Sequence, residues 1–346
     1  MRGIADLLAR RTPLVLLLAL GCGGRIVWAG SDYSDKDFSL RLAPAFLRFT
    51  EVSAVGGETV ANRFSSAINP ASAGWLALPQ KLGLVAAPYY SHVCLDSGTR
   101  LHIVGESLTW DTRKWGTIQP TLSQVRSNHD VHRLGLEFDY RVDTVQVQWA
   151  KRFGQWGLGA MFNFAEAEIV QKLGAVRMAE GHAESYRFRL GGLVEPADKW
   201  LLGLMVEYGL HPWRSSTRVL GAQGFTTVRM DGTQNQLLLR PGISYEYAKL
   251  SVVFLDYQYG SFFNQFGCLQ HHRVSAGVDH RVLDWLFVRA GASFDARGNM
   301  GWTCGASVQL AEWCGIDFGY QYDVLPELRP EFGRSHTLQL TFSARF

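Results

Sequence analysis

Residues with the reach for chemistry are few in this chain and badly spaced for it. Of ten histidines, the adjacent pair His271-His272 opens an alternating segment beside a polar loop, where histidines are ordinarily solvated. No Gly-x-Ser-x-Gly elbow, no Gly-x-x-x-x-Gly-Lys phosphate loop and no His-Glu-x-x-His zinc motif occurs. Cys94, Cys268, Cys304 and Cys314 match no zinc spacing. They are an even number that can pair in an oxidising compartment, and their spacing does not say which with which. Cys304 falls on the apolar side of its alternation and reads as a small hydrophobe. The chain is therefore expected not to be an enzyme, with no catalytic residues, cofactor or metal. A formal charge of +3 over 346 residues, without a basic run interleaved with aromatics, gives no sign of a nucleic-acid partner. The ionisable residues that do form a pattern are Arg187, Arg189, Arg240, Glu246, Arg273, Asp279, Arg289 and Asp295, all on the polar side of alternating segments. Facing a common interior, they could line a selective pore or form a paired network that fills the space and holds a plug.

Such side chains need strands with two unlike faces, and the final stretch 336–346 supplies the pattern. Leu338, Leu340, Phe342, Ala344 and Phe346 alternate with Gln339, Thr341, Ser343 and Arg345. A strand with an apolar face and a closing aromatic resembles the C-terminal assembly signal of bacterial outer-membrane β-barrels, which implies the barrel-insertion machinery as a partner through Phe346. Trp115, Trp156, Trp200, Trp285 and Trp313 each follow a short polar turn and open an alternating strand. A membrane interface explains this repetition, because an indole sits at headgroup level with its ring in the apolar boundary and its N–H toward water. A mean hydropathy of -0.04 and the lack of 18 consecutive apolar residues leave no helical span, but barrel strands hide their lipid face in alternation.

Arg2, Arg10 and Arg11 precede the apolar run 14–20, and Val27-Trp28-Ala29 places small residues at a cleavage site, so 1–29 is read as a signal peptide. Lipid attachment at Cys22 is a second reading, against which Ala19 stands where leucine is usual. Residues 30–79 alternate weakly and mix small residues with scattered hydrophobes, the composition of a segment packed inside something else. The expectation is an all-β fold: a 14-stranded antiparallel transmembrane β-barrel over 80–346 in the bacterial outer membrane, with 30–79 as an N-terminal plug (hatch). The well-alternating stretch 131–140 would break the even count and is assigned to a hairpin arm in an outer loop. Two further long outer loops, 168–183 and 210–233, carry apolar residues on a wet face. Trp213, Phe225, Phe262, Phe263 and Phe266 are candidates for capturing a greasy ligand.

Asn69-Pro70-Ala71, in the context Phe64-Ser65-Ser66-Ala67-Ile68 and followed by fourteen strands and a terminal Phe346, resembles the FadL superfamily of outer-membrane barrels. That superfamily includes long-chain fatty acid transporters and PorV-like proteins of a secretion system. The stretch 147–154, leading into Trp156-Gly157-Leu158-Gly159, resembles the strand-turn-strand of PorV-like members. The resemblance implies passive transport of hydrophobic small molecules such as fatty acids, released sideways into outer-membrane lipid. The alternative it implies is a scaffold or binding component of a secretion or adhesion system. Pro120 lacks the N–H that a barrel strand must donate. It marks either a bulge near the rim or, as the resemblance implies, an inward kink that leaves a gap in the wall. Asn69, Pro70 and Ala71 would then line that gap from inside, with the Asn69 amide meeting backbone groups freed by the kink.

Overall fold

The structure, a computed structural model, describes residues 59–63, 67–76, 83–127, 130–131, 136–174, 176–221, 224–265 and 267–346. The expected signal peptide, Cys22, residues 30–58 of the expected plug and Phe266 lie outside them.

Fifteen strands form one antiparallel sheet: β1 (Leu84–Leu95), β2 (Arg100–Asp111), β3 (Thr117–Ser127), β4 (Asp130–Val131), β5 (Leu136–Phe153), β6 (Trp156–Leu173), β7 (Val176–Ala197), β8 (Trp200–Gly221), β9 (Gly224–Ala248), β10 (Ser251–Asn264), β11 (Gly267–Leu283), β12 (Leu286–Asp295), β13 (Met300–Ala311), β14 (Cys314–Tyr322) and β15 (Ser335–Arg345). Neighbours in sequence pair in order, β15 pairs with β1, and β3 pairs with β5, so the sheet closes. The two-residue β4 bonds only to the end of β5, and the closed wall has fourteen strands as expected. Leu84 and Phe346 exchange backbone bonds of 3.3 and 2.8 Å at the seam.

One rim carries the short turns 112–116, 154–155, 198–199, 249–250, 284–285 and 312–313. Trp115, Trp156, Trp285 and Trp313 are exposed beside them, and Trp200 packs on Tyr245 with ring centroids 4.8 Å apart. The opposite, outer rim departs from expectation. Within the expected loops 168–183 and 210–233, residues 168–173, 176–183, 210–221 and 224–233 are hydrogen-bonded strand, because β6 runs to Leu173, β7 and β8 run for 22 residues each and β9 for 25. About 9–11 residues cross a bilayer, so these hairpins continue well beyond it, their backbone groups still paired with each other. The hairpin expected at 131–140 is present where Asp130–Val131 pair with 137–138, and it differs from expectation in that 136–140 is the outer end of a wall strand. β5 runs unbroken from Leu136, and Tyr140 and Val142 are buried on the inner face of the wall.

Residues 59–63 and 67–76 lie inside the barrel. The turn Pro70–Trp75 is capped by Asn69, whose Oδ1 accepts from the Ala71 N–H at 3.0 Å, with Pro70 at its first position, where no N–H is needed. This turn rests on β5, β6 and β7, and the wall makes room for it with glycine. A Cβ at Gly159 would overlap the backbone of Pro70 and Ala71, and one at Gly191 would overlap Asn69 Oδ1. Gly192, by contrast, has open space where its Cβ would stand. Gly159→Ala is therefore expected to lower stability by about 1–3 kcal/mol through overpacking, and Gly192→Ala to change it little. Denaturant midpoints of the two variants in micelles check the contrast.

Candidate functional site

The lumen has two unlike halves. On β7 to β14 its lining is ionic. Arg189 is bound by Glu207, Arg240 stands 3.5 Å from Asp256, and Arg289 meets Asp279 at 3.0 Å and Asp317 at 3.2 Å. Much of this network holds the inner segment. Arg189 donates to the Ala67 and Ile68 carbonyls at 2.6 and 3.2 Å, and Asp256 accepts from the Val60 N–H at 2.7 Å and the Thr59 hydroxyl at 3.1 Å. Arg63 reaches Glu195 at 2.6 Å. Of the two roles open for the interior charges, the paired network that anchors an inner segment is the one these contacts build.

The other half is apolar. Val93 and Leu95 of β1, Leu101 and Ile103 of β2, Val125 of β3, Tyr140 and Val142 of β5, and Ala165 and Ala167 of β6 form one buried cluster toward the outer rim. Its remaining members, Val324, Leu325, Leu328 and Phe332, come from the β14–β15 connection, which dips into the barrel mouth and fills this half with its own side chains. Pro326 opens a short 3-10 turn and Pro330 sits in the first turn of the helical turn that follows. The segment is tied to the wall by Glu327, 3.6 Å from Arg273, by Arg329, which bonds Asn299, and by the Phe332 and Arg334 carbonyls, which accept from the Ser97 and Asp96 N–H groups at 2.9 and 3.1 Å, while Arg329 also braces it internally on Asp323 at 2.7 Å. Sequence reasoning missed this element because residues 323–334 have no period. Its signal was the apolar Val324, Leu325, Leu328 and Phe332 spaced between two prolines.

Below the apolar cluster the inner face of β2 and β3 turns small and polar. Tyr89 packs against the cluster and bonds Ser123, and its ring lies where a Cβ on Gly105 would stand. Gln119 Nε2 donates to Ser107 Oγ at 2.6 Å. Gln148, the β5 partner of Gln119, donates to the Pro70 carbonyl at 3.1 Å. A row of side chains thus runs from the Asn-Pro-Ala turn across β5 and β3 to β2. Asn69 donates to the Val60 and Gly192 carbonyls, at 2.9 and 3.1 Å, and not to β3. Ala71 is fully buried against the wall, and Pro120 faces outward on β3. The candidate capture residues are dispersed. Trp213 is half-buried near the outer rim, Phe262 is buried with Leu238 and Leu269, and Phe225 and Phe263 are exposed on the outside.

No protein-family model matches this sequence, and no curated protein matches it. Solved structures do. The Pseudomonas putida toluene transporter TodX superimposes with a TM-score of 0.53 over 86% of this chain and 98% of its own, at 12% identity. The CymD monoaromatic hydrocarbon channel gives 0.57 over 85% and 95%, at 12% identity, and a Pseudomonas aeruginosa FadL homologue 0.51 over 84% and 96%, at 11% identity. The fold is that of the FadL-type outer-membrane barrels.

In this barrel the wall lapses at four prolines. Ser107 pairs with Thr121 and Trp110 with Ile118, while Leu108 and Thr109 do not pair with Pro120 and Gln119. A single absent N–H removes its own bridge and the adjacent one, so two pairs are lost and the register is kept. The same two-pair lapse occurs at Pro88 against β15, at Pro212 against β7 and at Pro241 against β10. Pro120 is thus one of four, with no bulge. Position separates them: Pro212 lies in the extension above the membrane, and the Pro241 lapse is backed by Val60 and the Arg240–Asp256 pair. Those at Pro88 and Pro120 flank the β1–β2 hairpin beneath the apolar cluster. Leu328→Ala is expected to open a cavity in that cluster at a loss of about 2–5 kcal/mol. A small aromatic such as benzene should recover part of it, read as a ligand-dependent rise in thermal midpoint.

Proposed function

We propose that this protein is a passive outer-membrane channel for hydrophobic small molecules, which it releases sideways into the bilayer. The observation that carries the reading is the apolar half-lumen filled by Val324, Leu325, Leu328 and Phe332, a site already shaped for greasy side chains. A ligand arriving at the outer rim takes the place of those side chains when the β14–β15 segment lifts from its Arg273 and Asn299 contacts. It then descends along the inner face of β1 to β3, past Tyr89, to the lapse between Leu108 and Pro120. There Gln119 spans the weak point from inside, and its β5 neighbour Gln148 ties the same place to Pro70. Movement of the Asn-Pro-Ala turn therefore bears on the exit, and a sideways path spares the ligand the ionic half of the lumen. The solved structures it resembles, a toluene transporter and a monoaromatic hydrocarbon channel, agree with this class. Fatty acids, which the sequence resemblance implies, share the apolar body of this class but add a carboxylate.

Pro120→Val restores the missing donor and with it two ladder pairs. In cells whose outer leaflet excludes hydrophobic solutes, uptake of a radiolabelled probe through this variant is expected to fall at least about tenfold, with normal insertion judged by heat-modifiable gel mobility. Unchanged uptake by the correctly inserted variant would rule out an exit at β3. Absence of uptake by the unaltered protein, with a stoichiometric protein partner on purification, would favour the PorV-like scaffold role.

A further inference from the structure

The outward face of the β1–β2 hairpin carries a group that nothing above uses. Glu106 lies midway along the 12 residues of β2, five before its last residue at the short-turn rim, and its side chain is exposed on the lipid side. Its neighbours on that face are apolar: Val104 and Leu108 on β2, Pro88 across on β1 and Leu122 across on β3. The lipid faces of β15 and β5 on either side are apolar too, with Leu338, Leu340 and Phe342 on one and Val145 and Val147 on the other. Among the described residues Glu106 makes no hydrogen bond and no ion pair. The outward guanidinium further along β3, Arg126, is taken up by Asp143 at 3.0 Å. A carboxylate at bilayer depth is unfavourable and is by default a functional residue rather than a packing choice.

Its place is specific. Glu106 and Leu108 of β2 face Leu122 and Pro120 of β3, so Glu106 borders the Pro120 lapse, and on its other side Pro88 marks the lapse toward β15. Any molecule that leaves the lumen through either weak seam emerges beside this carboxylate, whose nearest neighbours include no cation: Arg100 and Arg126 on the same face stand toward the outer end of the hairpin, and Arg126 is already held by Asp143. We propose that Glu106 determines the ligand class of the channel: the exit passes uncharged hydrophobic molecules and rejects organic anions of equal size. The inference rests on the sideways-release reading. An anion at the mouth loses hydration as it enters hydrocarbon and at the same moment meets a fixed charge of its own sign at low effective dielectric, where repulsion is strong. A neutral hydrocarbon pays neither penalty. On this basis long-chain carboxylates are poor cargo and arenes or alkanes good cargo.

The test compares radiolabelled n-butylbenzene with n-butylbenzenesulfonate, whose charge does not titrate, in cells expressing the full chain or lacking it. The unaltered protein is expected to take up the arene and discriminate strongly against the sulfonate. Glu106→Gln, nearly isosteric, should raise the sulfonate-to-arene uptake ratio about tenfold, and Glu106→Lys should raise it further. If the arene enters but the Gln variant leaves the ratio unmoved, or if the unaltered protein accepts both probes equally, Glu106 is not the selecting group and the channel reading stands. If the arene does not enter at all, the channel reading itself fails.

Discussion

Hydrocarbon offers no hydrogen-bond partners, so every backbone N–H and C=O at bilayer depth must be satisfied by the chain itself. The rest of this structure answers to that constraint. It requires the sheet to close, as it does where β15 meets β1 and β3 meets β5. Closure in turn fixes the two faces of every strand. Apolar side chains are left outside, and polar ones are confined to a space where water and counter-charges are available. It also explains why the hairpins beyond the outer rim stay strand rather than becoming loops: β6 to β9 have already paired register by register, and continuing the ladder leaves no backbone group to resatisfy.

Confinement gives the lumen its asymmetry. The arginines and carboxylates of β7 to β14 are too many to be left isolated in a narrow interior, and Arg189, Glu207, Arg240, Asp256, Asp279 and Arg289 are paired with each other, with further bonds to Thr59, Val60, Ala67 and Ile68. Breaking any of these pairs would strand a charge, so that side of the lumen is stiff. The β1 to β6 side toward the outer rim is filled by apolar contact, and its few polar ties to the β14–β15 segment lie at the edge, at Asp96, Ser97 and Arg273. Apolar contact is non-directional and exchangeable, and a ligand of similar surface can replace a leucine without leaving a polar group unmet. The barrel thus carries a rigid half that fixes the inner segment and a yielding half in which a guest can substitute for the chain's own side chains.

Most of the wall was legible because lipid imposes a period of two on one face and tryptophan on its borders. The alternation of Leu338, Leu340, Phe342 and Phe346 and the turn tryptophans gave strand number and closure without knowledge of the interior. The upper ends of the strands were not legible, since 168–173 and 211–221 lose their apolar face above the membrane while keeping their ladder. The Asn-Pro-Ala turn was visible as a motif, but its seat was not. The signal for that seat lay in Gly157, Gly159 and Gly191, whose missing side chains make room for the turn. The apolar half-lumen was harder still. Its members come from six separate stretches, and only closure brings Val93, Val142, Ala167 and Leu328 together.

Proline is where the governing constraint is relaxed, and the four lapses differ in what that relaxation costs. At Pro212 water can solvate the orphaned carbonyl, and at Pro241 the barrel is braced from inside by the Val60 and Asp256 contacts. At Pro88 and Pro120 neither compensation applies. The unmet groups face hydrocarbon across seams whose interior carries only small polar residues and the Gln119–Ser107 bond. Placing two such seams on either side of one hairpin concentrates the weakness, because β1 and β2 remain fully paired with each other while each loses two bridges to its outer neighbour. A hairpin attached in this way can tilt as a unit without breaking its own ladder, and the register on both sides lets it return to the same place. The sheet need not be cut for something to pass, so a closed, continuous barrel is compatible with the sideways path proposed for it.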